Sequence, residues 1–230
     1  MNILNNIWIA ISTPNEALVK IFCVLFLFIE APLSFSLIDN VFVMNSTRNK
    51  KLIYILVTAF VAIISTLFLK SPINLILNYI CALCILLFVF KAGKVKSLIA
   101  ALFPSVIFNL IGNLLLNPYL TLLDITYEEA NAVIIYRIPF SLLMYLTVFL
   151  LNVIIKHQKI TITLSDNLDK KDKAIIVLNI IFGFLYILIQ IFLLMNYINI
   201  LPVTYTFFSF ICLFTYFGLS YFSLSKVVNL

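Results

Sequence analysis

Apolar residues occur along this chain in long unbroken runs, separated by short polar segments whose charge alternates. Seven such runs are present, at 18–44, 52–69, 73–90, 98–116, 132–155, 174–197 and 203–224. About 20 apolar residues in a helix span the roughly 30 Å hydrocarbon core of a bilayer, and a helix satisfies its own backbone hydrogen bonds where water cannot. The pattern therefore predicts an all-α membrane protein, a polytopic bundle of about seven transmembrane helices. Short connections favour antiparallel neighbours.

The first helix has a readable start. Thr13-Pro14-Asn15-Glu16 offers a Thr cap, a Pro at the first helical position and a Glu three residues after the cap, so a capping box is expected with the helix beginning near Pro14. Upstream, Ile3, Leu4, Ile7, Trp8 and Ile11 fall on one helical face, which predicts a short interfacial segment anchored by Trp8. This segment lacks the basic n-region and small-residue cleavage site of a signal peptide. The expected organisation is an interfacial segment at 1–13, a transmembrane bundle at 14–224 and the start of a cytoplasmic helical linker at 225–230.

Charge gives the runs a direction. The loops holding Arg48-Lys50-Lys51, Lys91-Lys94-Lys96 and Lys156-Lys159-Lys170-Lys171-Lys173 are basic. Those between them hold Lys70 alone, the acidic Asp124-Glu128-Glu129, and the uncharged Asn199-Ile200-Leu201-Pro202. Under the positive-inside rule the N-terminus is outside and the C-terminus, with Lys226, inside. The longest loop contains the alternating Ile160-Thr161-Ile162-Thr163-Leu164, which reads as loop in preference to a short strand. No internal repeat with matching landmarks joins the two halves.

Composition removes the soluble classes. Hydrophobic residues make up 64%, charged residues 10%, and mean hydropathy is +1.18, whereas soluble domains hold about 25% charged residues. The formal charge of +6 lies in loops between spans, so it reads as a topology signal and no nucleic-acid partner is expected.

Few residues are placed to carry chemistry. Glu30, in the middle of the first run, would cost about 2.5–3.5 kcal/mol at that depth unless it protonates, pairs or meets water, so it is expected to face the bundle interior. It reads either as a ligand-sensing or proton-linked carboxyl or as a protonated group bonded to a neighbouring helix. Pro32, two residues on, removes a backbone donor and predicts a kink; Pro139 does the same in the fifth run. Arg137 reads either as snorkelling to the outer headgroups or as paired with Glu30 or the acidic outer loop. Asn109 and Asn113 share a face at i and i+4 beside Gly112, as interhelical glue or as the wall of a polar pocket. Asn78, Asn179 and Gln190 read as glue, and Asp39 as lying at headgroup level.

No cofactor or metal is expected. Cys81-x-x-Cys84 lies within an apolar run without a second ligand cluster, Cys23 and Cys212 are also within runs, and His157 is the only histidine. A membrane protease has no visible catalytic set.

The whole chain resembles the membrane sensor region of AgrC-like, GHKL-type quorum-sensing histidine kinases of low-GC Gram-positive bacteria. The resemblance rests on Ser12-Thr13-Pro14-Asn15-Glu16, on Phe28-Ile29-Glu30-Ala31-Pro32-Leu33, on the multi-span array with basic inner loops, and on Leu219-Ser220-Tyr221-Phe222-Ser223-Leu224-Ser225-Lys226. It implies a bacterial plasma-membrane receptor, a secreted peptide as extracellular ligand, homodimeric packing through the last helices, and a final helix that passes the signal to a kinase domain. That domain is absent from this chain, which on this reading is a sensor fragment or a truncated relative. The competing expectations are a small-molecule binding integral membrane subunit of a transporter, and a channel or carrier using Glu30 as an ion site.

Overall fold

The computed structural model describes residues 2–69 and 73–159, with isolated positions beyond at 161, 174, 177, 178, 181, 183, 185 and 211. Apart from those positions, the runs 174–197 and 203–224 lie outside the described residues, as do Lys226 and the predicted linker at 225–230. Among the described residues every element is a helix: α1 (Asn2–Ser12), α2 (Glu16–Phe42), α3 (Arg48–Phe68), α4 (Ile73–Phe88), α5 (Lys94–Leu123), α6 (Tyr127–Ala132) and α7 (Ile134–His157).

Four of these helices, α2, α3, α5 and α7, are long and apolar enough to cross a membrane. Their outward faces carry large apolar side chains, among them Leu56, Phe60, Leu146 and Leu150. An apolar surface of that extent suits lipid and not water. The chain is a membrane-embedded helical protein.

Several boundaries differ from the sequence expectation. The run 73–90 gives a helix of 16 residues, ending at Phe88; at 1.5 Å per residue that is ~24 Å, short of the hydrocarbon core. The run 98–116 lies within a longer helix, α5, which begins at Lys94 and continues through Pro104 and Pro118 to Leu123. The run 132–155 is divided, because α6 ends at Ala132 and α7 starts at Ile134.

The cap of α2 is also displaced. Asn15, not Thr13, is the N-cap, its side-chain oxygen accepting from Leu18 N–H at 3.1 Å. Thr13 instead closes α1, donating both its backbone N–H and its hydroxyl to the Ile9 carbonyl. Glu16 turns away to Lys20 at 2.6 Å. The capping box occurs elsewhere: Thr126 and Glu129 bond reciprocally at the start of α6. The backbone N–H and hydroxyl of Thr126 hold the Glu129 carboxyl below its usual range. A depressed carboxyl contributes stability above the ordinary carboxylate range and loses it as pH falls through the lowered value, so α6 stays capped through mildly acidic conditions.

Side-chain contacts fix the directions of the helices. Asp39 near the end of α2 meets Lys51 near the start of α3 at 2.8 Å, and Ser65 of α3 donates to Asn78 of α4 at 3.4 Å. Both pairs define antiparallel hairpins. On α5 and α7 the antiparallel partners are Tyr119 with the Tyr136 carbonyl, and Phe108 with the Tyr145 ring. Two contacts advance together along α2 and α7, Tyr145 to Glu30 and Asn40 to Asn152 at 2.6 Å, after the α2 cap Asn15 donates its N–H to the carbonyl of Ala132 just before α7. These two helices therefore run parallel.

The main core forms between α2, α4, α5 and α7, around Phe35, Leu37, Ile38, Phe42, Leu86, Val106 and Val148. The basic side chains Arg48, Lys50, Lys51, Lys91, Lys94, Lys96 and Lys156 collect at one end of the helices, and Asp124, Glu128 and Glu129 at the other.

At the basic end the chain leaves α2 through Val43 in the left-handed region, with φ 47° and its side chain 53% exposed. A β-branched residue there is strained by roughly 1–2 kcal/mol, and glycine relieves most of it at some cost in unfolded-state entropy. Val43→Gly is expected to stabilise the fold by about 0.5–1 kcal/mol in a denaturant titration of the purified protein. A loss of stability would show that the exposed Val43 side chain makes a contact worth more than the strain.

Candidate functional site

Glu30 stands where α2, α5 and α7 meet. Its Oε2 accepts the Tyr145 hydroxyl at 3.2 Å, and the Tyr145 ring is held between Phe26 at 5.6 Å and Phe108 at 5.9 Å. The aromatic clamp is why the hydroxyl is aimed: with its ring fixed on two sides, a buried Tyr presents its polar tip in one direction.

Two cavities share the Glu30 side chain. The smaller, ≈ 90 Å³, lies between α2, α3, α4 and α5, with Ser34, Tyr54, Thr58, Asn78, Tyr79 and Ser105 on its walls. The larger, ≈ 280 Å³, runs from Glu30 toward α6. Its walls are helical stripes. Asn109, Gly112, Asn113 and Leu116 repeat at i, i+3, i+4 and i+7 on α5, Phe140 and Met144 at i and i+4 on α7, and Tyr127 and Asn131 at i and i+4 on α6.

The other predicted site residues fall as follows. Arg137 does not reach Glu30 or an acidic side chain: its Nη1 donates to Asn131, at 2.7 Å to Oδ1 and 3.2 Å to the carbonyl. The α6 turn places that acceptor pair six residues from the guanidinium, closer than Glu30, which is already engaged by Tyr145. The ion pairs among the described residues are Lys20 with Glu16 and Lys51 with Asp39. Asp39 is thus neutralised at its helix end, and it accepts the Ser46 hydroxyl as well.

Among the described residues Asn109 makes no bond across a helix interface. Its Nδ2 donates to the Ser105 carbonyl of its own helix at 2.8 Å, leaving the cavity wall as its other surroundings. Asn113, buried, lines the same wall. Asn78 does bond across a helix interface, to Ser65. Gly112 is not demanded by close packing, since a Cβ there would meet only the Met144 sulfur at 3.5 Å, an ordinary contact. Pro32 sits inside α2 two residues past Glu30, and Pro139 inside α7 two residues past Arg137, so each helix lacks one backbone donor near a functional side chain.

Sequence reasoning missed Tyr145, Asn131 and the Asn40–Asn152 pair. A Tyr in an apolar run signals nothing by itself among 11 tyrosines. Asn40 and Asn152 carried a weak signal, an amide each near the basic end of a run.

No family model, curated protein or solved structure matches the chain. Fold and site together define a membrane-embedded helical protein with a partly buried carboxyl shared by two cavities.

Proposed function

We propose that this chain is the ligand-sensing membrane region of a signalling receptor of the two-component histidine-kinase kind. The observation that carries this reading is the Glu30–Tyr145 contact, a polar link between two parallel helices set at the floor of a cavity that extends to the α6 end. A guest in that cavity would bind one arrangement of α2 and α7 better than another, and only such differential affinity can shift a conformational equilibrium. The proposal includes a bundle of about seven spans in a bacterial plasma membrane, N-terminus outside and C-terminus inside, acting as a homodimer. An extracellular peptide is the proposed signal, and the run 203–224 with Lys226 the output helix.

The gathering of Arg48, Lys50, Lys51, Lys91, Lys94, Lys96 and Lys156 at one helix end, against Lys20 and Arg137 toward the other, supports that orientation. Cysteine labelling of intact cells tests it. A membrane-impermeant maleimide should modify Glu128→Cys and leave Lys50→Cys unmodified relative to the parent chain, and the reverse result overturns the topology.

Function is tested by fusing the chain in frame to a dimerisation and kinase module and inserting one to four residues after Lys226. Each insertion rotates a continuous helix by about 100°. Phosphorylation that varies with helical phase supports the receptor; output indifferent to the insertions rejects it. The larger cavity also favours a second reading, a small-molecule binding subunit of a transporter, whose mark would be ligand binding without any change in the fused kinase.

A further inference from the structure

We propose that the ≈ 280 Å³ cavity is a site for a small organic cation, a primary ammonium carried on an apolar body, with Glu30 as its counter-charge. Only one oxygen of the carboxyl is engaged: Oε2 accepts from Tyr145, and Oε1 takes no hydrogen bond from a described residue. Among the described residues no cation neutralises it, and Arg137, a basic residue of the same helix cluster, is held by Asn131. A carboxylate inside the bundle without a counter-charge is unfavourable, and a cationic guest offsets that penalty where a neutral guest cannot.

The remaining walls match the rest of such a guest. An ammonium has three donors; Glu30 Oε1 takes one, and the Asn109 amide oxygen, whose Nδ2 donates to Ser105, is a second acceptor lining the same cavity. Phe108, Phe140 and Met144 supply the apolar side. At about 30 Å³ per water-sized unit, the volume suits roughly nine heavy atoms. That is an aralkylamine, or a single amine-bearing side chain or terminus of a larger molecule. The proposal deepens the receptor reading and rests on it for its biological meaning, while occupancy of the site is measured without it.

The probes are 2-phenylethylammonium, 2-phenylethanol and 3-phenylpropionate, each of similar size and differing in charge. They are titrated by calorimetry into the full chain in phosphatidylcholine nanodiscs, with empty nanodiscs subtracted. The ammonium should bind saturably and about tenfold or more tighter than the alcohol, the carboxylate not at all, and Glu30→Gln should erase the ammonium's advantage while leaving the alcohol within about twofold. Gly112→Leu, which pushes a side chain into the cavity, should weaken both; it decides the matter if Glu30→Gln does not fold. Equal binding of ammonium and alcohol, no saturable binding, or an ammonium preference that survives Glu30→Gln overturns the site. Ammonium binding with a fused kinase that ignores both ligand and helical phase leaves the site standing and rejects the receptor. Phase-dependent output without ammonium binding removes the site alone.

Discussion

Glu30→Lys should leave little folded protein in the membrane, whereas Glu30→Gln should lose no more than about 1 kcal/mol. Glutamine keeps the acceptor that the Tyr145 hydroxyl needs at 3.2 Å and brings no charge. Lysine replaces that carboxyl with an ammonium, and among the described residues its surroundings hold no acid to pair with. Breaking a buried polar site by installing an unpaired charge costs about 3–5 kcal/mol. Tyr145→Phe isolates the hydrogen bond: the ring contacts to Phe26 and Phe108 survive, so the loss should fall near the average of about 0.6 kcal/mol for hydrogen bonds inside membrane bundles and below their maximum of about 1.7 kcal/mol. The measurement is unfolding by sodium dodecyl sulfate in mixed micelles, together with the yield of membrane-inserted protein. A Glu30→Lys variant as stable as Glu30→Gln would mean that the side chain has access to headgroups or bulk water.

Phe42→Ala is expected to cost about 3 kcal/mol or more, and Phe60→Ala less than about 0.5. Phe42 is fully buried at the end of α2, with its ring edge-on to Phe103 at 5.5 Å, while Phe60 on α3 is 63% exposed. Transfer from lipid to protein interior yields almost no hydrophobic free energy, so the difference between the two isolates close packing, which a cavity forfeits and a lipid-facing truncation does not. The same detergent titration compares them. Equal losses would place Phe60 in an interface as tight as that around Phe42.

What the sequence made legible was the set of features that lipid enforces. Among the described residues, apolar runs of sufficient length had to be helices, and an acid in the middle of the first of them had to find a partner within the bundle. Choices between equivalent local signals were not legible. Thr-x-x-Glu occurs at Thr13 to Glu16 and again at Thr126 to Glu129, and only the second forms a capping box. At the first, Thr13 is consumed by the end of α1 and Asn15 competes for the cap, which no pattern within four residues reveals. Arg137 was readable as a cation in need of a partner, yet its choice of Asn131 depended on α6 forming as a separate turn. Partners contributed by distant helices, Tyr145 for Glu30 and Asn152 for Asn40, depend on the relative register of two helices, and an apolar run carries almost no information about register.

Those two pairs bridge 115 and 112 residues of chain. At about 5–20 residues per second, a ribosome needs roughly 6–23 s to deliver α7 after α2 has left the tunnel. Throughout that interval α2 carries an acid and an amide whose partners have not yet been synthesised. Retention of α2 beside the insertion machinery, or temporary pairing with another polar group, must bridge the wait. Biogenesis, as much as the finished bundle, therefore sets how many polar side chains α2 can carry.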